Sequence, residues 1–259
     1  MSLLTQSPSS AVSEPFPTSQ LSGRLISVIV PCFNESAAIP QLKSRLKDFV
    51  DHNSSSFKFE FILVDDGSTD DTYSLLQSTF ADDQRFSIIR QLPNRGITAA
   101  ILAGGRQAQG EWLVSIDSDC TYDPQQIYNL LQRIEDGCAD MIIGSPYHCS
   151  GKVLNVPRWR LAISKAANRI YRGLFRTKLT CYTSCFRAIR PSIASRVVVQ
   201  NKGYVGMAEM VWRVERLGGK VTEIPAVLDI RRYGQSKLRL ARVVVQHLKF
   251  MAKVAFRGN

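Results

Sequence analysis

From residue 25 onward, short β-branched runs alternate with stretches of helical periodicity. Leu25-Ile-Ser-Val-Ile-Val30 is nearly all apolar and meets Pro31, the pattern of a buried strand. A helix is expected over about 36–50, then a strand at Phe59–Val64 and a helix over 71–80. Next come a strand at Phe86–Arg90, a helix over 96–109, a strand at Trp112–Ile116, a helix over 124–136 and a strand at Met141–Ile143. Strands separated by helices at this spacing predict βαβ units, hence an α/β domain with a mostly parallel sheet flanked by helices. In the 96–109 helix, Ala100, Gly104 and Ala108 recur every fourth residue, a small-residue stripe suited to close approach to the sheet. No G-x-G-x-x-G follows a strand, which counts against a dinucleotide-dependent dehydrogenase.

Beyond Ser145 the pattern is less regular. A helix over 159–175 places Ile163, Ala167, Ile170 and Leu174 on one face. A helix over 206–217 and a strand over 220–224 follow. The last helix, 237–256, aligns Leu240, Val243, Val244, His247, Met251 and Val254, with Arg239, Arg242, Lys249 and Lys253 elsewhere. Such a basic amphipathic helix either lies on a membrane interface or packs on its own domain. Residues 1–24, rich in Ser, Pro, Thr and Gln, read as a flexible tail, residues 25–236 as the folded domain and 237–259 as the basic helix.

Composition narrows the class. The chain is 44% hydrophobic and 21% charged, ordinary globular values that exclude collagenous and largely disordered proteins. No apolar run reaches the ~18 residues of a membrane span, and the N-terminus lacks the basic and apolar regions of a secretory signal. Six cysteines without a CxxC spacing point to reduced thiols and a cytosolic setting. Charge is divided: residues 1–150 carry 10 Lys and Arg against 18 Asp and Glu, a net −8, and residues 151–259 carry 23 against 4, a net +19. The basic part suits a polyanion such as a phosphorylated substrate or anionic lipid. A nucleic-acid-binding protein is the alternative that this charge raises, but no helix-turn-helix, zinc or stacking-platform pattern accompanies it, so no nucleic-acid partner is expected.

Ligands of open parallel sheets sit beyond the strand C-termini, and three polar clusters fall there. Asp117-Ser-Asp119 ends a buried strand, where two carboxylates can turn to one cation. Few, hard oxygen ligands suit Mg²⁺ or Mn²⁺ on a phosphorylated substrate. In Asp65-Asp66-Gly67-Ser68, Gly67 permits a tight turn and the carboxylates can accept hydrogen bonds from a nucleobase or ribose; the competing reading is a turn that caps the next helix. Pro31-Cys-Phe33-Asn34-Glu35 follows the first strand, with Asn34 a candidate helix start.

Together Pro31-Cys-Phe-Asn-Glu35, Val64-Asp-Asp-Gly-Ser-Thr-Asp70, Asn94-Arg-Gly96 and Asp117-Ser-Asp119 resemble the signature of family 2 glycosyltransferases with the GT-A fold. Gly144-Ser-Pro-Tyr147, Val156-Pro-Arg-Trp-Arg160, Thr183-Ser-Cys-Phe-Arg187, Glu209 and Tyr233-Gly-Gln-Ser-Lys237 are similar to the dolichyl- and polyprenyl-phosphate sugar transferases. The resemblance implies that Pro31, Phe33, Glu35, Asp65 and Asp66, with Gly67 in the turn, form a nucleoside pocket. It implies that Asp117 and Asp119, flanking Ser118, hold the divalent ion. Arg160, Arg187, Arg231, Arg232 and Lys237 become candidates for the acceptor phosphate. Thr121 stands where the family often has a Gln, Pro146 where many members have an Arg, Cys181 for an Asp and Cys185 for a Gly.

The implied reaction is inverting transfer from a GDP-mannose or UDP-glucose type donor to a polyprenyl phosphate. Asp119 and Arg160 are the residues expected at the chemistry. The alternatives are transfer to a sugar hydroxyl, for which Glu209 is the candidate base, and a nucleotidyltransferase, for which the first strand lacks a Gly-rich, Lys-bearing loop. The implied partners are a nucleotide sugar, a lipid phosphate, the cytoplasmic face of a membrane met peripherally, and a separate membrane protein.

Overall fold

In chain order the elements are β1 (Leu25–Cys32), α1 (Ile39–Asn53), β2 (Lys58–Asp65), α2 (Thr72–Phe80), β3 (Phe86–Arg90), α3 (Ile97–Gln107), β4 (Trp112–Ser115), α4 (Ile127–Glu135) and β5 (Met141–Ser145). There follow β6 (Lys152–Val153), α5 (Arg158–Leu174), β7 (Arg187–Ile189), α6 (Pro191–Ala194), α7 (Gly203–Arg216), β8 (Val221–Pro225), β9 (Val227–Leu228) and α8 (Leu240–Arg257). Single 3₁₀ turns at Ser36–Ala38 and Pro124–Gln126 lead into α1 and α4. This is a computed structural model, and it describes residues 23–54, 57–229 and 240–257.

Seven strands form one sheet in the order β3-β2-β1-β4-β7-β5-β8. Only β7 runs against its neighbours, pairing antiparallel with β4 and β5, while the other pairs are parallel. Period-two alternation separates the two faces. Ile26, Val28 and Val30 of β1, with Phe61 and Leu63 of β2, pack against Leu42 and Leu46 of α1, Leu76 of α2 and Leu130 of α4. Ile29, Ile62 and Val64 face the other way, onto Ala100 of α3 and Val205 and Val211 of α7. Phe250, Met251 and Val254 of α8 are buried in that same second cluster, so the terminal helix packs on the domain.

Two departures from the expected elements have clear causes. The first strand does not stop at Pro31 but continues to Cys32, paired with β2 through Pro31↔Val64 and Cys32↔Asp65. Pro31 shares the parity of Ile29, whose carbonyl accepts from Ile116 N–H on the β4 side, and β4 pairing has ended by then, so the missing N–H costs no ladder bond. The short central strand β7 was not expected, because its three residues begin with an arginine.

The small-residue stripe of α3 does lie on the sheet. A Cβ at Gly104 would sit 2.6 Å from Ile29 Cγ2 and 3.2 Å from Val64 Cγ2. Gly104→Ala should therefore destabilise the protein by about 1–3 kcal/mol, as overpacking of a filled core does. Urea unfolding checks this, and an unchanged or raised midpoint would contradict it.

Candidate active site

The loops after β1, β2 and β4 meet at one end of the sheet and are tied to each other. Asn34, in the left-handed region at φ 54°, donates its N–H to Ser68 Oγ at 2.9 Å, and its Oδ1 accepts from Thr69 N–H at 2.7 Å. Glu35 N–H donates to Thr72 Oγ1 at 2.7 Å. Asn34 thus braces the two loops and does not begin α1. The capping role in the acidic turn falls to Asp70, whose Oδ1 accepts from Thr72 N–H at 3.1 Å and from its hydroxyl at 2.6 Å.

The neighbours Asp65 and Asp66 have different tasks. Asp66, 2% exposed, accepts from Gln91 Nε2 (2.6 Å), Arg95 N–H (2.8 Å) and Gly96 N–H (2.7 Å). Its carboxylate fastens residues 91–96 beside the site, and both its oxygens are already used. A Cβ at Gly67 (φ +71°) would lie 2.7 Å from Asn94 N, so the turn requires glycine to let that segment in. Asp65 is fully buried; Oδ1 accepts from Ser68 N–H at 3.3 Å, but Oδ2 accepts no hydrogen bond, with Arg90 Nε 3.4 Å away. The Arg90 charge offsets part of the cost of burying this carboxylate, which lies behind the cleft wall and does not line it.

At the tip of β4, Ser118 turns inward, hydrogen-bonded to the Cys32 thiol, while Asp117 and Asp119 stay half-buried. Alternation places these two carboxylates on the cleft side. Thr121 N–H donates to Asp119 Oδ1 at 3.1 Å. Cys185 hydrogen-bonds to Asp117, and burial, followed by the Asp117 charge, pushes its thiol well up, so it stays protonated. The donor set suits a hard divalent ion. No group of three His, Cys, Asp or Glu able to hold a metal occurs among the described residues, so such an ion would share its coordination with the substrate diphosphate.

These residues open on a cleft of about 1230 Å³. Pro31, Phe33, Glu35, Asp66, Asp117, Ser118 and Asp119 line one end. Arg160, exposed in the first turn of α5 with its guanidinium 5.2 Å from the Trp159 ring, reaches the same cleft. It is the one Arg or Lys on the wall among the described residues. From there the cleft continues as an apolar arm between Ile163, Ala167 and Ile170 of α5 and Val244, Leu248 and Met251 of α8.

Asp65 and Gly67 sit beside the cleft without lining it, and two further expected site residues lie elsewhere. Arg187 is 1% exposed and spends its guanidinium on backbone carbonyls: Nε on Ser184 O (2.8 Å), Nη1 on Met207 O (3.0 Å), and Nη2 on Tyr182 O (3.3 Å) and Ser184 O. Burial lowers its pKa to about 10, so it remains charged, an internal strut behind β7 that does not face the acceptor. Glu209 is fully buried in α7, accepting from Gln200 N–H (2.9 Å), Asn201 N–H (2.8 Å) and Asn201 Nδ2 (2.7 Å), and paired with Arg213 Nη2 at 2.9 Å. It holds the 200–204 loop and does not line the cleft, which corrects its reading as a base. Arg231, Arg232 and Lys237 lie outside the described residues.

The cleft also contains Asp229, which the sequence reading passed over. Its N–H donates to Thr121 O at 2.9 Å and its Oδ1 accepts from Asn155 Nδ2 at 3.0 Å. The available signal was its rarity, as one of four acids in the basic part of the chain. Glu215 and Glu223, like Glu209, serve loops: Glu215 accepts from Thr177 N–H at 2.8 Å and Glu223 from Thr180 N–H at 2.8 Å.

Comparison with known proteins agrees with this geometry. The profile described as Glycosyl transferase family 2 matches residues 27–198. A polyprenol monophosphomannose synthase from Mycolicibacterium smegmatis is 32% identical, covering 82% of this chain and 80% of the relative. An undecaprenyl-phosphate mannosyltransferase from Micrococcus luteus is 30% identical, covering 81% and 86%. Among solved structures, a mannosyltransferase from Pyrobaculum calidifontis in complex with GDP-Man and Mn²⁺ superposes with a TM-score of 0.61 at 16% identity, covering 95% of this chain and 69% of that one, a likeness of fold. With the family profile spanning most of the chain and the acidic loops gathered at the strand tips of a GT-A sheet, the chain belongs to glycosyl transferase family 2 and is a glycosyltransferase.

Proposed function

We propose that the protein transfers a hexosyl group from a nucleotide diphosphosugar, of GDP-mannose or UDP-glucose type, to the phosphate of a polyprenyl or dolichyl phosphate. The observation that carries this reading is the form of the cleft: a carboxylate-lined end at the strand tips runs into an apolar arm between α5 and α8. A nucleotide sugar fits the first and an isoprenoid chain the second. The named activities of the two relatives point the same way.

Roles follow from the chemistry of the side chains. Pro31 and Phe33 wall the nucleoside and Glu35 accepts from it, with Asp66 at the cleft and Asp65 behind it supporting the pocket. Asp117 and Asp119 would hold Mg²⁺ or Mn²⁺, which when bound draws charge from the departing diphosphate. Arg160 offers a planar fork to the acceptor phosphate. A phosphate monoester, with a second pKa of about 6, is already ionised near neutral pH and needs no base. That agrees with Glu209 being tied into the protein. Direct attack of a phosphate oxygen on the anomeric carbon, through an oxocarbenium-like state, inverts the configuration.

Access to a lipid acceptor is supported by the open, solvent-exposed apolar lining of the same arm. Trp159 is 54% exposed, Ile170 46% and Leu248 54%, beside exposed Arg158, Arg169, Arg172 and Lys249. No helix among the described residues is long and apolar enough to cross a membrane. Peripheral contact with an anionic surface, on the cytoplasmic face, fits this arrangement.

The test offers labelled GDP-mannose and UDP-glucose with undecaprenyl phosphate, undecaprenol or a sugar acceptor. Label should pass only to the phosphate, with an α-linked donor giving a β-linked product by NMR. Transfer to the alcohol or the sugar, or retained configuration, would contradict the reading. Recovery with anionic vesicles should fall as salt rises, and equal recovery without vesicles would remove the membrane contact.

A further inference from the structure

His247 interrupts the apolar face of α8 where the cleft arm passes between α8 and α5. It is 8% exposed and belongs to the cleft wall. Its Nδ1 lies 2.6 Å from the hydroxyl of Tyr171 on α5, with the two rings edge to face at 5.7 Å. Burial lowers the imidazole pKa to about 4 and raises that of the phenol, so both are neutral at physiological pH. The phenol O–H is then the donor and Nδ1 the acceptor, which leaves the ring proton on Nε2. That N–H meets no acceptor among the described residues. His247 is not among the residues with a buried, unsatisfied polar atom and lies on the cleft wall, so this donor opens toward the cleft, where an acceptor brought by the ligand can meet it.

The charges on the wall say which kind of acceptor. Five carboxylates (Glu35, Asp66, Asp117, Asp119 and Asp229) line the cleft, against Arg160 as the one Arg or Lys among the described residues. A phosphomonoester entering from the arm presents three terminal oxygens, more than one guanidinium fork can satisfy. A neutral N–H fixed in direction supplies another donor at the arm itself.

We propose that His247, held by Tyr171 with its proton on Nε2, donates a hydrogen bond to the phosphate headgroup of the lipid acceptor. The proposal rests on the polyprenyl-phosphate reading above. It gives the Tyr171–His247 pair a positioning function: Tyr171 sets the tautomer and His247 touches the substrate.

The chain has three histidines, His52, His148 and His247, so ¹⁵N-histidine labelling resolves them, with His247→Phe as the assignment control. In Mg²⁺ buffer, farnesyl phosphate should shift the His247 Nε2–H signal, and farnesol should leave it in place. Inorganic phosphate should shift it only at concentrations at least tenfold higher, and saturation at equal concentrations would identify a free-phosphate site and overturn the proposal. In steady-state kinetics, His247→Phe should raise the acceptor KM about tenfold or more, the effect of losing one hydrogen bond to a charged group. The donor KM should stay within twofold, and His247→Gln, which keeps an N–H, should recover part of the loss. Turnover of farnesyl phosphate by the wild type without any movement of the His247 signal would overturn this proposal and leave the acceptor reading intact. Absence of transfer to any polyprenyl phosphate would overturn both. Should His247→Phe fail to fold, the wild-type titration decides alone.

Discussion

Replacing Asp119 with Ala should lower sugar transfer about a thousandfold, the scale of losing a principal electrostatic contact to developing charge, and hardly move the melting temperature. The two effects separate because of where the residue lies. Asp119 is half-buried at the cleft, and its carboxylate accepts a local hydrogen bond from Thr121 N–H at 3.1 Å. Folding loses local contacts at a half-buried turn, whereas the reaction loses half of the acidic pair that faces the diphosphate. Initial rates across a Mn²⁺ series, with thermal melts of both proteins, check this. A variant retaining more than a tenth of wild-type activity would remove Asp119 from the chemistry.

Glu209→Ala should have the opposite profile. Its carboxylate is fully buried, accepts three hydrogen bonds from Gln200 and Asn201, and pairs with Arg213. Removing one partner of a buried pair costs about 3–5 kcal/mol, which for a domain of this size is a fall of roughly 10 °C in melting temperature. Turnover below that temperature should stay within about tenfold, because Glu209 does not line the cleft. The contribution also depends on pH. Burial raises the carboxyl pKa, but hydrogen bonds from Asn201, Arg213 and Gln200 outweigh it and leave the folded value below the ordinary 4.5. The stabilisation is therefore present above that ordinary value and is lost as pH falls through the folded one. Melts of wild type and Glu209→Gln should differ near neutrality and converge in acid. Full stability with turnover abolished would return Glu209 to the role of base and favour a hydroxyl acceptor.

Much of the first half of the fold was legible because its periodicities are clean. Strands β1 to β5 and helices α1 to α4 fall within a few residues of the expected bounds, and Gly104 packs on the sheet as its spacing implied. What escaped shares one cause: a polar side chain satisfied by partners remote in sequence looks the same as one waiting for a ligand. Arg187 reads as a phosphate ligand until Ser184 and Met207 carbonyls are found to occupy it. It also hides β7, since an arginine opening a three-residue strand breaks the apolar signal. Asp65 and Asp66 are adjacent and chemically identical, yet only partners brought in by the fold distinguish them: the loop at 91–96 holds Asp66 at the cleft, and Arg90 pairs with Asp65 behind it. His247 was visible as a polar residue in an apolar stripe, but its meaning depends on Tyr171, 76 residues away.

The account turns on the carboxylates at the tip of β4 taking up an activated donor through a divalent ion. Calorimetric titration of the wild-type protein with GDP-mannose and with UDP-glucose, each with and without Mn²⁺, tests it most directly. One of the two donors should bind with Mn²⁺ present and at least tenfold more weakly without it. Binding of neither, or binding indifferent to the metal, would contradict the account.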